Sequence, residues 1–231
     1  MLDSTQATQV PSQIAFGGKD IGLAALKQKL KQWCSGDVEK IMAADILFRC
    51  ADEGSRVLNL EAQRLSEIPP TILQFPQFER LEEINLDSNC FKTFPSELAN
   101  LPNLKVLKLG SNELDELPCE GAPFEKLKEL ALDANSIEKV STLTWLPALE
   151  KLDLSYNDLA NIDFLESVPT LQKLNIDNCP VNELPECVAS NWHLTEISAI
   201  GTGLSSKSSL GSGELITNAG ESNIFPMDDI P

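Results

Sequence analysis

A chain of 231 residues, 42% of them hydrophobic, is long enough to bury a sizeable core. Its formal net charge is −17, from 35 acidic against 18 basic residues, and no basic run occurs. Nucleic acids and anionic membrane surfaces are held by Lys and Arg, so this balance argues against both and favours a protein partner that is basic or mixed in charge.

In chain order, residues 1–17 are polar and rich in Gln, Ser and Thr, which predicts an unstructured arm. No charged segment followed by an apolar run stands there, so no Sec signal peptide is expected. Over 18–54 the apolar period becomes helical. Ile21, Leu23, Leu26, Leu30 and Trp33 form one set, with Lys27, Lys29 and Lys31 beside them. After Gly36, a second helix is predicted from about Asp37, with Val38, Ile41, Met42, Ile46, Leu47 and Cys50 as its apolar set. Asp37 or Ser35 is the expected N-cap. The two helices are suited to seal the open end of an array that begins at residue 55, and a separate binding role for them is the alternative.

From 55 to 204 the chain repeats itself. Leu81, Ile84, Leu86, Asn89 and Phe91 return as Leu104, Leu107, Leu109, Asn112 and Leu114. They return again as Leu127, Leu130, Leu132, Asn135 and Ile137, as Leu149, Leu152, Leu154, Asn157 and Leu159, and as Leu171, Leu174, Ile176, Cys179 and Val181. The steps are 23, 23, 22 and 22 residues. A degenerate first copy carries Leu58, Leu60 and Gln63, and a degenerate last copy carries Leu194, Ile197, Ala199 and Thr202. Strand side chains alternate, so each L-x-L places two side chains on one inward face. The Asn that ends each strand has an amide able to bond its own turn and the neighbouring one, with Cys179 and Thr202 as weaker substitutes. Segments such as Phe94-Pro95 to Leu101, Leu143 to Pro147 and Phe164 to Pro169 cross to the other side as short helical or 3₁₀ pieces. No single copy can bury its own apolar side, so neighbours and end caps supply the stability.

Residues 205–231 are Ser/Gly-rich, then acidic and apolar, without a further L-x-x-L-x-L; a cap on the last repeat and a flexible tail are both open.

The motif L-x-x-L-x-L-x-x-N-x-L over about 55–204 resembles the leucine-rich repeat. The resemblance implies an α/β solenoid, a horseshoe of about seven repeats with a parallel concave sheet and a helical N-terminal cap, and a role in binding proteins. The segments Leu65-Ser66-Glu67-Ile68-Pro69-Pro70, Phe94-Pro95-Ser96-Glu97-Leu98 and Leu117-Pro118 are similar to those of bacterial effectors that act in host cells. Similar segments occur in Ras-pathway scaffolds. The 22-residue copies with Leu154-Ser155-Tyr156-Asn157 are similar to the phosphatase-regulator type of cytosolic adaptor. The expectation is therefore a non-catalytic interaction module, a bacterial effector that targets a host protein. A eukaryotic adaptor or regulatory subunit, including a ubiquitin-ligase substrate adaptor, is the alternative. The expected place is the cytoplasm, or the host cytosol after secretion by a specialised system, and a monomer is expected.

The variable strand positions would face the partner. They supply Glu83, Glu129, Lys151 and Lys173 at the third position, Lys108 and Asp153 at the fifth, Asp87, Asp133 and Asp177 at the seventh, and Tyr156 at the eighth. The carboxylates suggest an acidic groove for Lys- or Arg-bearing surface, although a solvated sheet needs polar residues anyway. Tyr156 is the single tyrosine of the chain and the preferred anchor.

No cofactor or metal is expected. Adjacent strands stand too far apart for carboxylates to converge on calcium, and no compact D-x-D-x-D-G loop occurs. The six cysteines, Cys34, Cys50, Cys90, Cys119, Cys179 and Cys187, form no C-x-x-C and are read as reduced thiols of a cytosolic protein. Cys50-Ala51-Asp52 matches the Cys-x-Asp of bacterial leucine-rich-repeat ubiquitin ligases. There, however, the triplet lies in a large helical domain after the repeats. With His193 as the single histidine and Gly211-Ser212-Gly213 unlike a phosphate loop, no enzyme is expected.

Overall fold

A computed structural model describes residues 17–35, 37–190, 193–204 and 214–217. Two helices come first, α1 (Gly17–Trp33) and α2 (Val38–Glu53). Asp37 caps α2, accepting the backbone N–H groups of Glu39 and Lys40, as an N-cap carboxylate does. Gly54 ends it at φ 66°, in the left-handed region that glycine enters without strain. The polar arm expected over 1–17 lies outside the described residues apart from Gly17, as do Gly36 and Trp192.

Eight strands then form one sheet in sequence order: β1 (Val57–Asn59), β2 (Glu83–Asn85), β3 (Val106–Lys108), β4 (Glu129–Ala131), β5 (Lys151–Asp153), β6 (Lys173–Asn175), β7 (Glu196–Ala199) and β8 (Glu214–Thr217). Every neighbouring pair is parallel. The central residues Leu58, Ile84, Leu107, Leu130, Leu152, Leu174 and Ile197 stand in one register and are all buried. This is an open solenoid with its parallel sheet on one side, and one continuous core runs along it.

The turns after the strands hold the amide ladder. Asn89, Asn112, Asn135 and Asn157 each donate through Nδ2 to a carbonyl one repeat back, those of Leu60, Leu86, Leu109 and Leu132, at 2.9–3.0 Å. Each also donates to its own turn. Each Oδ1 accepts a backbone N–H of the preceding repeat: Leu65, Phe91, Leu114 and Ile137. Cys179 keeps the backward bond, Sγ to Leu154 O at 3.1 Å. Among the described residues, Thr202 bonds within its own turn, donating to Ala199 O and accepting Leu204 N–H.

The convex side is built from short pieces, with helices α3 (Pro70–Leu73) and α4 (Cys187–Ser190) and 3₁₀ turns at Pro76–Phe78, Ser96–Asn100 and Asp163–Ser167. The crossing at Leu143–Pro147 is a turn without a helix. There Trp145 packs with Phe94 and Phe124, ring centroids 5.1–5.9 Å apart, and its indole N–H donates to Pro118 O.

One sequence expectation needs correction. Ile41 and Met42 are not in the buried set of α2; they are 54% and 67% exposed. The helix buries Ala43, Leu47, Cys50 and Ala51 instead, a stripe at helical spacing from which positions 41 and 42 are rotated away. Strand β8, in register with β7 from Glu196↔Glu214 to Ala199↔Thr217, extends the sheet beyond residue 204, where the sequence leaves a cap and a tail both open. The rest of the C-terminal stretch, 205–213 and 218–231, lies outside the described residues.

Candidate interaction face

The outward side of the sheet carries every predicted site residue. The eighth position of each repeat holds the backbone in the left-handed region: Ala62, Ser88, Ser111, Ala134, Tyr156, Asn178 and Gly201 have φ between 52° and 75°. Glycine and asparagine enter this conformation most readily, whereas other residues with a Cβ do so at a cost of about 1–2 kcal/mol and a bulky one there is an outlier. Tyr156 sits there at φ 55° with 63% of its surface exposed. Its N–H is held by Asp177 O at 2.8 Å, the bond its counterparts also make to the next repeat. The ring therefore gains little from the core and projects from mid-sheet into solvent.

The carboxylates are largely occupied within the sheet. Asp87 accepts the Gly110 N–H at 2.7 Å. Asp153 accepts the N–H and the hydroxyl of Ser155 with one oxygen, and the Asn175 amide with the other. Asp177 accepts the Ser198 hydroxyl and the Ile200 N–H, both at 2.7 Å. Each is thus a clip that helps to align its own strand end or the next. Asp133 differs: its carboxylate lies over Gly110, where an added Cβ would come within 2.6 Å of it. Burial raises the carboxyls of Asp87 and Asp133 above the ordinary range, and for Asp133 the neighbouring Asp153 charge adds to it.

The lysines are paired across strands as well. Lys108 meets Glu83 at 2.9 Å, Lys151 meets Glu129 at 3.1 Å and Lys173 meets Glu196 at 2.6 Å. The bond to Glu83 holds the Lys108 ammonium above its usual value. The geometry thus brings all ten predicted residues onto one face, but not as an open acidic column. It is a mesh of paired charges with Tyr156 rising from it. Sequence reasoning did not single out Glu196, Ser198 and Asn175, the partners that tie this mesh together; cross-strand charge opposition at a spacing of 22–23 residues was the available signal. Nor did it single out Val57, 48% exposed on the first strand, and Ile200, 41% exposed just after β7.

Cys50 is buried, and burial pushes its thiol up to about 11, away from the thiolate a nucleophile needs. All six cysteines are unbridged. His193 is exposed just before β7, at the far end of the array from Cys50. Among the described residues no cluster of three or more His, Cys, Asp or Glu is placed to hold a metal, and no helix is long and apolar enough to cross a membrane.

The leucine-rich-repeat family model matches residues 56–114. Among solved structures, the leucine-rich-repeat domain of a Shigella effector is similar, with a TM-score of 0.61 at 20% identity, over 84% of this chain and 97% of that one. A leucine-rich-repeat protein of Leptospira interrogans gives 0.53 at 23% identity, over 68% of this chain and 52% of that one. No curated protein matches the sequence. At these identities the likeness is one of fold, and that fold is typically a non-catalytic module for protein–protein interaction. Strand register, asparagine ladder and these likenesses together identify the chain as a leucine-rich-repeat solenoid, of a fold shared with an effector domain.

Proposed function

We propose that this chain is a non-catalytic module that binds a host protein on its concave face, as an effector delivered into the host cytosol. One observation carries the binding reading: the exposed ring of Tyr156 is held at mid-sheet in a backbone conformation that its counterparts fill with Ala, Ser, Asn or Gly. Such placement is unfavourable for the fold alone and suits an interface anchor. Around it, Glu83, Lys108, Glu129, Lys151 and Lys173 offer both signs of charge, which fits a partner of mixed charge. Asp87, Asp153 and Asp177 act mainly by shaping the face, and Asp133 is the carboxylate with most left to offer. The effector reading is supported by the likeness to the Shigella domain over nearly its whole length.

The test is affinity capture from eukaryotic cell lysate with the wild-type chain beside a Tyr156→Ala, Lys173→Glu double variant of matched circular dichroism. A host protein retained by the wild type and lost by the variant is the expected result. Equal retention by both would refute the concave site, and a wild-type chain that retains no host protein would refute the effector role. The adaptor reading differs in requiring a second docking surface on the cap helices, a requirement that the exposed Ile41 and Met42 meet in kind.

A further inference from the structure

The cap helices carry a groove of about 610 Å³ between α1 and α2. Its apolar lining includes Leu30, Ile41 and Phe48. Lys27 and Lys31, one helical turn apart and both exposed, line its α1 side. Lys27 stands with its ammonium 5.5 Å from the Phe48 ring centroid. Among the described residues neither lysine has a carboxylate within ion-pair distance. The single acid of the lining, Asp45, faces Arg49 at 3.9 Å. A chain of net charge −17 therefore presents, at this one apolar groove, two cations that its described carboxylates leave unpaired.

We infer that this groove is a second interaction surface, whose occupant is an amphipathic helix of a partner protein with acidic residues flanking its apolar stripe. A groove between two packed helices seats a third helix, read through apolar anchors at i, i+3/i+4 and i+7. Helices of 16 and 17 residues offer about 25 Å of length, enough for three or four turns of a partner. Charge sets the choice. Acids on the partner would meet Lys27 and Lys31 here, while the acidic remainder of the chain repels them, so the same charges that attract at the groove oppose docking elsewhere. The inference does not depend on the concave-face reading, since the groove shares no residue with that face.

The probe is a displayed library of 16-residue helical peptides with a fixed apolar stripe and flanking positions randomised among Asp, Glu, Lys, Ser and Ala. It is selected on the whole chain, and affinities are then measured on the wild type and on Lys27→Glu, Lys31→Glu. Selection should enrich Asp and Glu at the flanks, and the charge-reversed variant should bind these peptides about tenfold more weakly. Replacing Ile41 by Ser should weaken them as well, while Tyr156→Ala leaves them unchanged. Recovery of no peptide, of peptides without acidic flanks, or of peptides that bind both proteins alike would overturn the inference. So would sedimentation showing that the wild-type chain self-associates and that Lys27→Glu, Lys31→Glu abolishes it, because a second copy would then be the occupant.

Discussion

The middle of the array and its C-terminal end use the same strand register but close their turns differently. From Asn89 to Asn157 one amide makes bonds in three directions, to its own turn, to a carbonyl one repeat back and from an N–H of that repeat. At Cys179 the thiol retains a weaker backward bond, and at Thr202 the side-chain bonds among the described residues stay within its own turn. Packing is not what differs, since Leu130 and Ile197 are both fully buried. The lesson is that repeat-to-repeat coupling in this chain is carried by a side-chain amide as well as by the core, and that the coupling fades toward the end.

The largest expected effect breaks the ladder where it is complete. Asn135→Ala removes four bonds and takes the acceptor from the N–H of buried Leu114, which should cost about 1–3 kcal/mol in urea unfolding. The reverse change sharpens the comparison: Cys179→Asn should restore the missing amide and stabilise by about 0.5–1.5 kcal/mol, with slower hydrogen exchange around β6 and β7. Next, Tyr156→Asn places in the left-handed turn the residue that the following repeat uses at Asn178. It should stabilise the fold by about 1 kcal/mol while removing partner binding, a separation that a merely structural tyrosine would not show.

The smallest effect depends on pH. Because burial raises the Asp133 carboxyl in the folded chain, the unfolded chain ionises first as pH rises. Stability from this group is therefore greatest in acid and falls as pH rises through the carboxylate range. Asp133→Asn should raise Tm at neutral pH and match the wild type by about pH 4, near the ordinary carboxylate value.

Much of this fold was legible in the sequence because the repeat states the same constraint many times. Leu, Leu and Asn at fixed offsets specify strand, face and turn together, and the register followed. The helix cap at Asp37 was legible for the same local reason. What escaped depended on rotation or on distant partners. Ile41 and Met42 look like core by composition, but Ala43, Leu47 and Cys50 define the buried stripe of α2. Strand β8 lacks the leucine pattern and forms by adding backbone to the edge of β7. Asp87, Asp153 and Asp177 look like part of a binding column until their partners are seen, because Gly110, Asn175 and Ser198 lie a whole repeat away.

The most direct test of the concave-face account is photo-crosslinking in host-cell lysate, with a benzophenone amino acid placed at position 156 in one protein and at the exposed convex position Glu125 in another. The account predicts one host protein joined through position 156 and not through 125. Attachment of that protein through 125 alone would place the partner on the convex side and contradict it.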